Sequence, residues 1–140
     1  VVRPPGRGEL ACLDTHDLAT FATWWRALAP TPRRALLAAL RASGHLDTPV
    51  PDNEAPHIQE PEPEAVLAAT MAWLGASRAP VVLASLEDLW LEPEPQNVPG
   101  TADPKAMFRR RAAYGLEDLD AVASVKNTLD ALDRARRTTV

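Results

Sequence analysis

At 140 residues, with 46% apolar and 24% charged side chains, the chain is long enough for one domain and a modest core, and its balance is that of an ordinary globular protein. A net charge of -4 leaves no basic excess and argues against a nucleic-acid partner held by phosphate contacts. The single cysteine, Cys12, rules out an internal disulfide and fits a reducing, cytoplasmic setting, and no apolar run approaches the length of a membrane span.

Residues 1–8 are rich in Pro, Gly and Arg, lack an initiator Met and an apolar leader segment, and read as a tail that starts in the middle of something longer. Residues 9–13 read as a short buried strand. From Leu18, the residues Phe21, Trp24, Trp25 and Leu28 recur at spacings of three and four, the stripe of an amphipathic helix. "PTPRRALLAALRASG" restarts that pattern: Thr31 suits an N-cap, Pro32 the first helical position, Gly44 the end, and Leu36, Leu37 and Leu40 the core face. With these helices, residues 9–46 form one segment. Residues 47–62, with Pro63 just beyond, form a proline-rich, acidic surface loop. In the remaining segment, 63–140, a helix over 63–75 carries Leu67, Met71 and Leu74 and ends at Gly75. Val81, Val82 and Leu83 then form a continuous aliphatic run, the mark of a strand buried on both faces. "LEPEPQNVPGTADP" must be irregular. A helix over 105–113 is expected next, and a last one over 116–136 carries Leu119, Val122, Val125, Leu129 and Leu132.

Strands separated by helical crossovers imply a helix-rich parallel α/β arrangement, in which ligand groups sit at the carboxyl ends of strands. The two polar clusters, 14–17 and 87–101, both follow strands. Two readings fit Asp17. It can N-cap the helix that follows, which spacing alone favours. Or, as an ionised carboxylate beside His16, it can stabilise the positive charge of an oxocarbenium-like transition state. Asn97, amid prolines and Gly100, either stabilises a turn or offers an amide to sugar hydroxyls. Asp14 is read as a turn cap in preference to a sugar-hydroxyl ligand, Cys12 as a buried inert thiol, and Glu87 and Asp88, which spacing alone leaves open as catalytic carboxylates, as capping or loop-anchoring groups. Trp24 or Trp25, and Trp73, are assigned to the core, while Trp90, between strand and loop, is the candidate stacking platform. Arg109, Arg110 and Arg111 are read as solvated or paired with local acids. His16, His45 and His57 with one Cys show no metal-ligand spacing, so no metal site is expected.

Together, "THDLATFATWWR" and "LASLEDLWLEPEPQNVPGT" followed by "RRR" resemble two segments, in the same order, of the carboxyl-terminal part of 4-α-glucanotransferases (amylomaltases, or disproportionating enzymes). The resemblance runs from about residue 9 to 120. It implies an elaborated (β/α)8 barrel that cleaves an α-1,4-glucan with retention and passes the glycosyl group to the 4-hydroxyl of another sugar, with no cofactor. By that match Asp17 is the third carboxylate, the transition-state stabiliser, His16 its sugar-binding neighbour, and Asn97 a substrate contact in the loop after the last strand. Met107-Phe108 departs from the family's Asn-Trp before the arginines, which keeps an aromatic and loses an amide. The nucleophile and the acid/base belong to earlier strands of the family's barrel, and no second set is found here; Glu87 and Asp88 match a non-catalytic "LEDL".

The expectation is therefore a carboxyl-terminal barrel fragment: the last two parallel strands with their helices, binding maltodextrin, catalytically incomplete alone, and calling for the amino-terminal part of the barrel as partner. A barrel of this type needs about 250 residues. The alternative is a stand-alone maltodextrin-binding or interaction module.

Overall fold

The computed structural model describes residues 3–47, 60–102 and 107–139. Two short strands, β1 (Leu10–Ala11) and β2 (Val81–Val82), pair in parallel with Leu10 opposite Val81 and Ala11 opposite Val82. The Leu83 N–H extends the ladder by donating to the Ala11 carbonyl at 2.8 Å. Parallel pairing requires a crossover, and three helices supply it: α1 (Phe21–Ala27), α2 (Pro30–Ala42) and α3 (Pro63–Gly75). After β2 come a four-residue helix, α4 (Leu86–Leu89), a 3-10 turn over Leu116–Ala121, and α5 (Ala123–Thr139).

α2 starts two residues earlier than Thr31-Pro32 suggested. Ala29 takes the N-cap position in an extended conformation with no side-chain cap, and Pro30 opens the helix. A proline ring presets the φ of a first turn and removes an N–H that would lack a partner anyway, and it pushes the preceding residue out of the helical region. Leu36, Leu37 and Leu40 are buried as the periodicity required. Gly44, at φ +74°, closes the helix: its N–H donates to the Arg41 carbonyl and the His45 N–H to the Leu40 carbonyl, both at 3.0 Å. This Schellman pair uses the left-handed conformation that glycine takes without strain.

α3 is the centre of the fold. The pattern marked one apolar face, yet Val66, Ala69, Thr70 and Ala72 are buried along with Leu67, Met71 and Leu74, because α1 and α2 pack on one side and α5 along the other. Its mostly apolar sequence fits a helix enclosed nearly all round. Gly75 does not end α3 through a special backbone angle. Its hydrogen faces α5, where a Cβ would lie 2.8 Å from Leu132 Cδ1 and 3.0 Å from the Leu132 carbonyl oxygen, so the missing methyl sets the helix spacing. From α5, Arg136 Nη1 donates to the Ala79 carbonyl at 2.9 Å and secures the entry to β2.

Other expectations are corrected. The run Val81–Leu83 is not buried on both faces: Val81 is 46% and Leu83 51% exposed, because the described sheet gives β2 one partner strand. β1 likewise buries Ala11 and exposes Leu10. No helix forms over 107–113; Met107 makes an isolated antiparallel bridge with Asn97, while residues 105 and 106 lie outside the described residues. The expected helix over 116–136 is divided at Val122, and α5 buries Val125, Thr128 and Ala135 while Leu129 points outward. Most of the 47–62 loop, with His57, is outside the described residues. Of the tryptophans, Trp25 is buried, stacked on Phe21 at 6.3 Å, and Trp73 packs against the core, but Trp24 is exposed. Arg33 lies over the Trp25 ring, 4.6 Å from its centroid, and pairs with Glu60 at 2.9 Å, which ties the far end of the long loop to α1 and α2. Among the described residues no helix is long and apolar enough to cross a membrane.

Candidate functional site

The carboxyl ends of β1 and β2 lie side by side, so the two polar clusters meet. After β1 the chain makes a turn closed by the Leu18 N–H on the Thr15 carbonyl at 2.9 Å, which carries His16 and Asp17 outward. From the loop after β2, Asn97 Nδ2 donates to Asp17 Oδ1 at 2.7 Å. His16 Nε2 stands 3.5 Å from the same oxygen, and both side chains are more than half exposed. A carboxylate, an imidazole and an amide from segments 80 residues apart thus converge on one point. Asp17 does not cap α1. That helix begins at Phe21 with Thr20 in the N-cap position, and the Phe21 N–H donates instead to Asp88 Oδ1 at 2.7 Å. The capping reading, which spacing favoured for Asp17, therefore falls to Asp88, as the anchoring role expected of that residue allowed.

Beside this trio runs a cleft of about 150 Å3 whose walls include Asp14, His16, Ser85, Glu87, Gln96 and Phe108. Phe108 is 60% exposed, its ring centroid 5.7 Å from that of His16. Its backbone sits at φ +57°, an uncommon conformation for a large side chain, held where its N–H donates to the Gln96 carbonyl at 2.8 Å. The aromatic retained in the Met107-Phe108 pair thus forms a wall of the cleft, which the sequence signalled only as a departure from the Asn-Trp pattern. Trp90 is placed elsewhere: half-buried, edge-on to Tyr114 at 5.7 Å, and not among the residues lining this cleft.

Two carboxyls, Asp14 and Glu87, line the cleft. Ser85 Oγ donates to Asp14 Oδ1. Burial holds the Asp14 carboxyl above the usual carboxylate range, against the pull of that hydroxyl. Burial also pushes Asp88 up to about 7; the Phe21 N–H opposes this, and the nearby negative charges of Asp14 and Glu87 add to it. Farther along the loop, burial disfavours the Glu92 carboxylate, but the Arg110 guanidinium, at 2.8 Å, holds it below the ordinary range. Arg110 Nη1 also donates to the Glu94 carbonyl at 2.6 Å, so this arginine fastens the acidic, proline-rich segment that presents Asn97. Cys12 is half-buried and unpaired. Among the described residues no group of three or more His, Cys, Asp and Glu is placed to hold a metal ion.

A helix-rich α/β unit with a carboxylate, an imidazole and an amide at the carboxyl ends of adjacent parallel strands has the groups of a polyhydroxylated-ligand site. The 4-alpha-glucanotransferase family model (glycoside hydrolase family 77) matches residues 6–116, and the chain belongs to that family. A comparison with curated proteins finds no match. The family is of the TIM-barrel type and its substrates are α-1,4-glucans.

Proposed function

We propose that the chain is the carboxyl-terminal part of a glucanotransferase barrel, in which Asp17 stabilises the transition state and His16 and Asn97 bind sugar hydroxyls. The observation that carries this reading is the hydrogen bond between Asn97 Nδ2 and Asp17 Oδ1 beside His16, which unites the two segments that resemble the family. In retaining transfer the anomeric carbon acquires positive character twice, as the glycosyl-enzyme forms and as the acceptor 4-hydroxyl attacks it. A fixed carboxylate near that carbon favours both barriers more than the ground state. Asn97 gives one N–H to Asp17, and its amide has a second N–H and a carbonyl oxygen with which hydroxyls can pair. His16 supplies a further ring nitrogen and, with Phe108, an aromatic wall for the apolar face of a glucose ring.

The nucleophile and the acid/base are assigned to earlier strands of the barrel, so this chain alone does not carry out the covalent step. The exposed faces of Leu10, Val81 and Leu83 support the reading of β1 and β2 as members of a larger sheet.

Binding without turnover tests the site. On titration with maltotriose, the Asn97 side-chain amide and His16 ring signals should shift in NMR spectra with a dissociation constant in the millimolar range, about 4 kcal/mol of binding. Cellotriose, the β-linked counterpart, should leave them unmoved. An equal response to both sugars, or none to either, would contradict an α-glucan site.

A further inference from the structure

The site's direct groups leave one buried carboxyl unused. Asp88 is only 2% exposed and comes from α4, across the sheet ends from the turn that carries His16 and Asp17. Its Oδ1 accepts the first N–H of α1, and its Oδ2 is buried with no hydrogen-bond partner among the described residues. The neighbouring acceptor is Asp14, already fixed by Ser85 Oγ and situated three residues before Asp17. Two neighbouring carboxyls withdrawn, fully or in part, from water do not both ionise freely, and a proton held by one can be donated to the other.

We propose that Asp88 is a positioning residue: its carboxyl joins the amino end of α1 to the Asp14 carboxyl, and so fixes the turn from which His16 and Asp17 meet Asn97. Phe21 and Asp14 bracket the turn, and α4 holds both: Asp88 accepts from the Phe21 N–H, and Ser85, at the head of the same helix, donates to Asp14. When Asp88 is protonated, Oδ1 accepts from Phe21 and the Oδ2 hydroxyl donates to Asp14, so the orphaned oxygen gains a partner. When the proton leaves, two negative charges face each other and Glu87, next along α4, adds a third. α1 answers them with one N–H, that of Phe21. The charges that raise the carboxyl are those of Asp14 and Glu87. The clamp therefore tightens below neutral pH and loosens above it. The inference rests on the glucan-site reading only for what the turn is held in place to do.

The test compares Asp88→Asn, which keeps an acceptor for Phe21 and a permanent donor for Asp14, with Asp88→Ala, which keeps neither. The ligand-free readout is the Asn97 side-chain amide in NMR spectra. In the unmodified chain its signals should move between pH 6 and about 8; in Asp88→Asn that movement should be much reduced. In folded Asp88→Ala the signals should be displaced at every pH, which loss of stability alone would not produce. If Asp88→Ala fails to fold, the comparison of the unmodified chain with Asp88→Asn decides alone. Identical pH responses in those two would overturn the proposal.

Urea unfolding gives a second check. A carboxyl raised in the folded state binds more protons there than in the unfolded chain, so stability should fall as pH rises from about 4 to about 7, and fall less in Asp88→Asn. Asp14, also raised, acts in the same direction. Maltotriose affinity should be kept in Asp88→Asn at pH 6 and drop several-fold in Asp88→Ala. If no maltotriose binds while the Asn97 response behaves as described, the glucan reading fails and the clamp stands.

Discussion

Asp17→Asn, in a barrel completed by its amino-terminal half, is expected to lower the turnover of maltotriose by about 10²–10³-fold, the usual effect of removing one group aimed at developing transition-state charge. The substitution is chosen for what it leaves intact. An asparagine Oδ1 still accepts from Asn97 Nδ2 across the same 2.7 Å, and the side chain is of equal size, so the turn and the cleft keep their shape. What disappears is the negative charge. Because that charge matters most when the anomeric carbon is cationic, kcat should carry most of the loss and KM should change less. Steady-state glucose release over a range of maltotriose concentrations separates the two. A loss confined to KM would make Asp17 a ground-state binding group and would remove it from the chemistry.

Leu40→Ala should destabilise the chain by about 2–5 kcal/mol, the cost of a cavity where a fully buried leucine has been cut back. Leu40 is 0% exposed, one of the largest fully enclosed side chains, on the face of α2 that packs on α3. Its carbonyl also accepts the Schellman bond that ends α2, which holds the surrounding backbone and limits collapse into the cavity. Set against the 5–15 kcal/mol of an ordinary domain, such a loss is a large fraction, and a chain exposing Leu10, Val81 and Leu83 starts with less reserve than most. Urea unfolding followed by the fluorescence of buried Trp25 measures it. Leu129→Ala is the control: the periodicity placed Leu129 on the core face of the last helix, but it is 41% exposed, so its loss should cost no more than about 0.5 kcal/mol. Equal effects at the two positions would mean that α5 is turned differently from the packing described.

Helices with a strong stripe or clear punctuation were legible in the chain. Pro63 and Gly75 do bound α3, and Leu36, Leu37 and Leu40 do face the core. What periodicity misjudged was the surroundings. It marked one face of α3 because single-sequence patterns do not reveal that α1, α2 and α5 approach from several sides. It took Val81–Leu83 as buried because β-branched runs usually lie inside a wide parallel sheet, whereas the described β2 has one neighbour. Thr31-Pro32 looked like a helix start, and Pro30 satisfied the same requirement two residues sooner.

The polar groups follow the same division. His16, Asp17 and Asn97 were singled out from their places after strands and from the family resemblance, and the fold brings all three together. Asp88 as the distant cap of α1 depends on a contact between residues 67 apart, which no local spacing records. Phe108 as a cleft wall depends on the bridge between Asn97 and Met107 and on an unusual backbone angle, neither of which is written in the residue types. Trp90 carried the right chemistry for a stacking platform, but its ring is turned to Tyr114.

The most direct test of the central claim is glucose release from maltotriose by the chain alone and after addition of a separately produced amino-terminal half of a glucanotransferase barrel. The account predicts no release by either part and release on mixing, because the mixture alone contains the nucleophile, the acid/base and Asp17 together. Release by the chain alone would contradict it, and would transfer the chemistry to this chain's own carboxyls, Glu87 on the wall of the cleft first among them.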